Sequence, residues 1–174
     1  MTVSQTGSRT LGHVIHVRSA TLDDAQVLFQ WRNDLDTRQA SVSTQSLEWS
    51  EHLPWLEAAL ADKTRHIYIV EDGAVGSDRS IGVCRFDVEG GPTGAAAEVS
   101  INLNPAVRGQ GLAGPVLDAA IKRFRSDTAD ATELRATIRP TNVASTRVFV
   151  AAGFRIERSD DEFDYYSLLL PAQA

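Results

Sequence analysis

A glycine-rich turn that begins with an arginine, Arg108-Gly109-Gln110-Gly111, is the segment of this sequence best suited to chemistry. Apolar residues recur at helical spacing directly after it, from Leu112 to Phe124, so the turn opens a helix. The first N–H groups of a helix have no acceptor within the helix, and glycines let a ligand come close to the backbone. With the helix dipole and the Arg108 charge, these groups form a site for an anion such as a phosphate.

A strand leads into this turn. Val99, Ile101 and Leu103 alternate with polar residues, which predicts a strand with one buried face. Pro105 follows it, and proline cannot donate a hydrogen bond to a ladder. The turn lacks the Lys-Ser/Thr pair of a P-loop and the glycine spacing of a dinucleotide-binding fold, so neither of those phosphate sites is indicated.

The remaining elements are predicted from periodicity and from turn residues, in the order β-α-α-β-β-β-α-β-α-β-β. The predicted strands are 14–18, 66–71, 81–87, 98–103, 134–138, 154–158 and 165–170. The predicted helices run from the N-cap Thr21 to about Asp34, from Leu47 to Ala61 with Pro54 near its start, from the glycine turn to Phe124, and from Asn142 to Ala152. Polar or glycine-rich loops are expected at 36–43, 73–80, 89–94 and 159–164.

Composition limits the class of protein. The chain has 174 residues, of which 43% are hydrophobic and 23% charged, which is ordinary for one globular domain, here residues 13–174. A net charge of −6 argues against a nucleic-acid partner, because phosphate neutralisation needs a basic face. Cys84 is the lone cysteine, so no disulfide framework or cysteine-rich zinc site is expected.

No metal site and no membrane segment are expected either. His13, His16 and His66 lack ligand spacing, and no apolar run reaches the roughly 18 residues of a membrane span. Residues 1–12 are polar, without the apolar core of a signal peptide, so we expect a disordered segment and a cytoplasmic protein.

Two motifs carry a resemblance to a known family. Arg108-Gly109-x-Gly111-x-Ala113 resembles the Gln/Arg-x-x-Gly-x-Gly/Ala pyrophosphate motif of the GNAT (Gcn5-related N-acetyltransferase) superfamily. The segment from Asn142 to Phe154 is similar to a second family pattern, Asn-x-x-Ala/Ser-x-x-x-Tyr/Phe-x-x-x-Gly-Phe. The resemblance extends from about Val14 to Leu170, which is most of the chain.

This resemblance implies an α/β (α+β) fold. It has a central mixed, mostly antiparallel sheet of about seven strands, splayed between strands four and five and flanked by about four helices. In the family, acyl-CoA lies in that wedge. The implied reaction moves the acetyl group of acetyl-CoA to a primary amine of a small molecule, by direct attack in a ternary complex.

The resemblance also implies roles for individual residues. Glu98 takes the place of a catalytic base, although pairing with Arg85 or Arg135 on a neighbouring strand would also explain it. The N–H of Ile101 takes the place of the oxyanion donor. The residues implied in cofactor binding are Ile101, Leu103, Arg108, Gly109, Gln110, Gly111, Leu112, Ala113, Gly114, Asn142, Ser145 and Phe149.

Phe149 departs from the family pattern. Many members have a tyrosine here that protonates the departing thiolate, which phenylalanine cannot do. Tyr165 and Tyr166 are possible substitutes, or the thiolate leaves unassisted, since a thiol with a pKa near about 8.5 is a tolerable leaving group. The departure also leaves open a non-catalytic acyl-CoA-binding protein on the same fold.

The acceptor side is predicted in the first two helices. Its expected residues are Trp31, Arg32, Asn33, Arg38 and His52, with Trp55 close by, a pattern similar to GNAT enzymes that acetylate nucleotide-linked amino sugars. The acidic loop Asp160–Asp164 favours a cationic acceptor instead, such as a small amine or a peptide N-terminus like those of the ribosomal-protein acetyltransferases. A homodimer is also possible by analogy with the family.

Overall fold

The computed structural model describes residues 14–73, 79–91 and 94–172. The segment 1–12, expected to be disordered, lies outside the described residues, as do parts of the loops predicted at 73–80 and 89–94. Within the described part, the chain forms one seven-stranded sheet, with helices on both of its faces.

The strands are β1 (Ile15–Ser19), β2 (Arg65–Asp72), β3 (Arg79–Gly91), β4 (Gly94–Leu103), β5 (Ala131–Ile138), β6 (Arg155–Ser159) and β7 (Asp164–Leu169). The helices are α1 (Ala25–Asn33), α2 (Leu35–Ala40), α3 (Trp49–Ala61), α4 (Ala113–Asp127) and α5 (Val143–Ala151), with short 3-10 turns at Leu22–Asp24 and Pro105–Val107. The strand order is β1-β2-β3-β4-β5-β7-β6, and β4 with β5 is the parallel pair in an otherwise antiparallel sheet. The expected fold class is confirmed.

Each face of the sheet is covered by its own core. On one face α4 packs through Phe124, whose ring stacks on Phe86 of β3 with centroids 4.3 Å apart. On the other face α1 and α3 pack on β2, with Leu56 and Ile69 fully buried between them. The apolar stripe of each helix is thereby removed from water, which is the main stabilising term for such a layered fold.

The strands β4 and β5 separate partway along their length. Their paired residues run from Ala95 with Ala131 to Glu98 with Arg135, and no pair follows in the described part of the chain. Beyond that point β4 continues beside β3 as far as Leu103, whereas β5 continues beside β7. A wedge therefore opens between the two strands, directly after Glu98.

Several element boundaries differ from the expectation. Strand β3 includes residues expected in the loops at 73–80 and 89–94, because its hairpin with β4 extends to Gly91, and β5 begins at Ala131 rather than Leu134. Glu98 does not begin β4, because the hairpin with β3 extends back to Gly94; alanines at 95–97 have low strand propensity, and cross-strand pairing overrides it. The loop predicted at 36–43 contains α2, whose first turn is capped by Asp34. Helix α3 begins at Trp49 rather than Leu47, and Pro54 lies within it.

Candidate active site

A cleft of ≈ 1270 Å³ occupies the wedge and continues beneath α1, α2 and α3. Its floor is the sheet, on the side of the wedge where β4 and β5 no longer pair. One end is formed by the turn before α4 and the start of α5, and the other by the end of α1 and by α3. A ligand in this cleft would contact both the strand edge and the helices.

The glycine turn has the geometry of an anion site. Gly109 and Gly111 both have φ of +74°, a left-handed conformation that other residues adopt at a cost, and a Cβ at either position would meet open space. Within the described ranges, no acceptor receives a hydrogen bond from the N–H groups of residues 109–113. Because α4 begins at Ala113, these donors lie at the positive end of its dipole.

The free edge of β4 offers a second row of donors. The Asn104 N–H donates to the Ile81 carbonyl at 3.0 Å, and bonded and non-bonded positions alternate along an antiparallel ladder. The N–H groups of Ile101 and Leu103 therefore point away from β3 and into the wedge, whereas that of Val99 faces Arg135 of β5, the last residue paired with β4. This backbone edge, rather than the side chains, faces a ligand between the strands.

Glu98 lies where the wedge begins. Burial raises the pKa of its carboxyl above the usual value, and Asp87 adds to that rise. Hydrogen bonds donated by the side chain and backbone of Thr137, together with the charge of Arg135, oppose it. The carboxyl is thus held across the gap between β4 and β5, with a pKa above that of an exposed glutamate.

Arg108 lines the cleft, but its side chain is engaged with α2. Its Nη1 lies 2.6 Å from Asp34 Oδ1, and its Nη2 donates to Thr37 Oγ1 at 2.5 Å. Its positive charge is therefore shared with a carboxylate of the protein. Anion binding at this turn therefore depends mainly on the backbone N–H groups, whereas the sequence predicts a contribution from the Arg108 charge as well.

Most of the other residues expected to hold a cofactor line the same cleft. Asn142 caps α5, since its side-chain oxygen accepts a hydrogen bond from the Ser145 N–H at 3.1 Å. Phe149 is buried, with its ring 5.0 Å from that of Phe154 in an edge-on contact. The cleft-lining members are Ile101, Leu103, Arg108, Gly109, Gly111, Leu112, Ala113, Asn142, Ser145 and Phe149, whereas Gln110 and Gly114 do not line it.

Neither tyrosine suggested as a substitute acid reaches the cleft. The Tyr165 hydroxyl donates to Asp160 at 2.9 Å, and Tyr166 is buried in the core. The acidic loop Asp160–Asp164 does not line the cleft either. Asp160 accepts hydrogen bonds from backbone N–H groups of its own loop, so it acts as a turn residue.

The residues expected on the acceptor side are divided by the structure. Arg32 and His52 line the cleft. Trp31 is buried in the core between α1 and the sheet, and Asn33 exchanges hydrogen bonds with the backbone of Leu47 at 2.8 and 3.0 Å. Arg38 does not line the cleft. Trp31 and Asn33 thus make packing and loop-holding contacts, and neither lines the cleft.

His52 is fixed by its surroundings. Its Nε2 lies 3.0 Å from the Ala25 carbonyl oxygen, so Nε2 carries the proton and Nδ1 is left as an acceptor. Burial lowers the pKa of His52, which keeps the ring neutral. The ring stacks on Trp55 at 5.9 Å, and the two form one aromatic wall of the cleft.

Arg85 and Thr137, which the sequence reasoning did not assign to the site, also line the cleft, and so does Trp55, which it placed close to the acceptor residues. Arg85 and Thr137 are polar residues at alternate positions of strands with buried apolar neighbours, and that alternation was the available signal. Among the described residues, no group of histidines, cysteines and acids could hold a metal ion, and no helix is long and apolar enough to span a membrane.

Known structures share this fold at low sequence identity. A spermidine N-acetyltransferase from Vibrio cholerae, in complex with CoA and spermine, aligns over 89% of this chain and 95% of its own with a TM-score of 0.76 and 14% identity. The N-acetyltransferase PseH from Campylobacter jejuni, in complex with acetyl coenzyme A, covers 91% and 100% with a TM-score of 0.66 and 19% identity. A domain from Methanocaldococcus jannaschii covers 91% and 100% with a TM-score of 0.77 and 18% identity.

No curated protein sequence matches the chain significantly. A family model does match it, over residues 15–155, and that model describes an acetyltransferase (GNAT) domain. The match covers most of the chain and includes the glycine turn, the free edge of β4 and Glu98. The chain therefore belongs to the GNAT acetyltransferase family.

Proposed function

We propose that the protein transfers the acetyl group of acetyl-CoA to a primary amine of a small molecule. The observation that carries this proposal is the position of Glu98. It lies where β4 and β5 part, on the same strand as the backbone donors that face the wedge. A base and an oxyanion donor are the groups that acyl transfer to an amine requires.

The described residues fit acetyl-CoA. The unpaired N–H groups of the glycine turn suit its pyrophosphate, and the free edge of β4 suits the amide groups of its pantetheine arm. When bound, acetyl-CoA supplies a thioester whose carbonyl carbon is open to attack. Solved structures of the same fold contain CoA or acetyl coenzyme A, which supports this fit.

The chain's own residues then have defined tasks. Glu98 takes the proton from the acceptor ammonium, and its raised pKa makes that transfer more favourable. The Ile101 N–H donates to the carbonyl oxygen as negative charge develops there. Holding both reactants in one cleft removes much of the entropic barrier.

Attack is direct, without an acyl-enzyme. Cys84 is fully buried, does not line the cleft, and has a thiol pKa raised by that burial, so it is not available as a nucleophile. Phe149 and the two distant tyrosines leave the thiolate without a tyrosine acid at the cleft. A thiolate leaves readily enough for this to be tolerable.

The test is release of free CoA from acetyl-CoA across a panel of amines, with product masses and a blank lacking amine. The panel holds amino acids, amino sugars and their nucleotide-linked forms, polyamines, aminoglycosides and N-terminal peptides. Turnover of any class supports the proposal. Tight CoA binding with no turnover across the panel would favour the alternative, a non-catalytic acyl-CoA-binding protein.

A further inference from the structure

The acceptor end of the cleft holds one arginine, Arg32, that has no ion-pair partner among the described residues. Arg32, at the end of α1, lines the cleft, and its Nη2 donates to the Ser43 carbonyl at 2.8 Å. Its Nη1 is buried without an acceptor, and no carboxylate of the described residues lies within ion-pairing distance of it. A half-buried guanidinium without a counter-ion is costly, and an anionic ligand would offset that cost.

Arg85 adds to this charge from the floor of the cleft. It lies on β3 and pairs with Asp87, Nε to Oδ2, at 2.9 Å. Asp87 also pairs with Arg65 at 2.5 Å, so a single carboxylate serves two arginines. Burial lowers the pKa of Arg32, and the positive charges of Arg85 and Arg38 lower it further.

The carboxylate of Glu98 lies on the same face of the sheet, one diagonal step from Arg85. Arg85 is paired with Ser100 in the ladder, and Asp87 with Glu98. Diagonal neighbours on one face of an antiparallel pair lie roughly 7–8 Å apart. The positions of Glu98 and Arg85 on the floor of the cleft are therefore roughly 7–8 Å apart, so one small ligand can reach both side chains.

The wall between these charges is apolar. The Trp55 ring lies 5.9 Å from the Arg85 guanidinium carbon and stacks on His52. Leu28, Ile67 and Val83 continue this wall on the sheet and on α1. A polycation would meet repulsion from the arginines here, and a fully polar ligand would leave this surface without a partner.

We propose that the acceptor is a small amine that also carries an anionic group, a carboxylate or a phosphate, which Arg32 and Arg85 bind while the amine faces Glu98. The apolar wall takes the body of the molecule. This inference rests on the proposed acetyl transfer and names its acceptor class. The acidic loop at 160–164, which pointed to a cationic acceptor, lies outside the cleft and does not oppose it.

The test compares kcat/KM for matched amines that differ in one charge. L-phenylalanine is set against its carboxamide, glucosamine 6-phosphate against glucosamine, and spermidine serves as a polycation. We expect the anionic member of at least one pair to be preferred roughly tenfold to hundredfold, because hydrogen bonds to charged groups contribute that much. The two pairs distinguish a carboxylate from a phosphate.

Arginine variants then connect the preference to the site. Arg32→Gln and Arg85→Gln should each reduce the preference toward unity, mainly through KM, without changing the dissociation constant of CoA. Arg32→Lys should keep part of it, because the charge is retained. Arg155→Gln, which removes an exposed arginine of β6 outside the cleft, should leave it unchanged.

Each result decides between the two proposals. Equal or better turnover of the amines that lack the anionic group, or of spermidine, would overturn the anionic acceptor and leave acetyl transfer standing. An anionic preference that survives both glutamine variants would overturn the assignment to Arg32 and Arg85. Failure to bind CoA and to acetylate any amine would overturn both proposals. Melting temperatures of the variants must match the wild type for these comparisons to count.

Discussion

Arg108 Nη1 lies 2.6 Å from Asp34 Oδ1, which connects the glycine turn to the start of α2. Asp34 also caps α2 by accepting the Thr37 N–H at 3.0 Å. On the opposite side of the wedge, Arg139 donates to the carbonyls of Ser41 and Val42, both at 2.8 Å. Helix α2 is thus tied to both sides of the wedge, so its stability and the shape of the cleft are coupled.

Replacing Asp34 should therefore loosen α2. Asp34→Ala removes both the cap and the ion pair, and we expect the free energy of unfolding to fall by about 1–2 kcal/mol. Asp36→Ala is the matched control, since that carboxylate is 79% exposed and lies 3.4 Å from Arg108; its effect should stay within about 0.5 kcal/mol. Urea unfolding measures both values, and equal losses would contradict a special role for Asp34.

The glycine turn can be tested by a pair of substitutions that differ in charge alone. Gly111 has φ of +74° and open space at its Cβ position, and both asparagine and aspartate tolerate this conformation better than other residues. Gly111→Asp should raise the dissociation constant of CoA roughly tenfold or more over Gly111→Asn, because a carboxylate there repels phosphate.

Calorimetry of CoA binding to the two Gly111 variants supplies the measurement. The difference between them should shrink as salt is raised, because the charge is exposed to solvent ions. Equal dissociation constants at low salt would place the pyrophosphate elsewhere.

Glu98→Gln should reduce turnover most at low pH. There the acceptor amine is protonated and needs a base, and losing a general base typically costs roughly 100-fold or more. As the pH approaches the pKa of the amine, the free amine becomes abundant and the two proteins should converge. Steady-state rates over a range of pH measure this, with CoA affinity as the control. A variant as active as the wild type at every pH would remove Glu98 as the base.

Thr137→Val tests the same carboxyl without removing it. The Thr137 hydroxyl donates to Glu98 and so lowers its pKa, against the rise caused by burial. Without that hydroxyl the Glu98 pKa should rise further, and the acid limb of kcat/KM should move to higher pH with the same plateau. An unchanged acid limb would show that another group titrates in it.

The site was predictable where short-range pattern determines geometry. The turn needs residues that accept a positive φ at Gly109 and Gly111, and glycine is the residue that does so most readily. The two glycines in the sequence therefore predict this turn. The buried residues of α4 follow a helical period that packing leaves intact. These features depend on neighbours in the chain, so the sequence alone is sufficient for them.

The acceptor end was less predictable because it depends on tertiary contacts. Trp31 and Arg32 are adjacent in the sequence, yet the first is buried in the core and the second lines the cleft. The direction in which each side chain points follows from how α1 packs on the sheet, and the helical spacing of residues alone does not determine that packing. Thr137 reaches Glu98 only because β5 lies beside β4, a pairing between distant parts of the chain.

Acid should destabilise the protein in two stages, first through His52. Burial lowers the pKa of His52 below its usual 6.5, so the unfolded chain binds a proton that the folded protein excludes. The stability that neutral His52 contributes is present above pH 6.5 and is lost as pH falls through its lower folded pKa. His52→Phe keeps the aromatic wall but removes the titrating group. The free energy of unfolding of this variant should therefore not fall over this pH range.

Asp24 should produce the second stage. It is buried and accepts two hydrogen bonds from Arg18 at 2.7 and 2.8 Å. Burial alone would raise its pKa, but Arg18 and Thr21 outweigh that effect and lower the pKa below 3.8. The stability from ionised Asp24 is present above pH 3.8 and is lost as pH falls through the folded pKa.

Urea unfolding at stepped pH values measures both stages, and Asp24→Asn should remove the second at a cost of about 2 kcal/mol at neutral pH. If His52→Phe and Asp24→Asn both lose stability in one step over the same pH range, groups other than His52 and Asp24 cause the acid sensitivity.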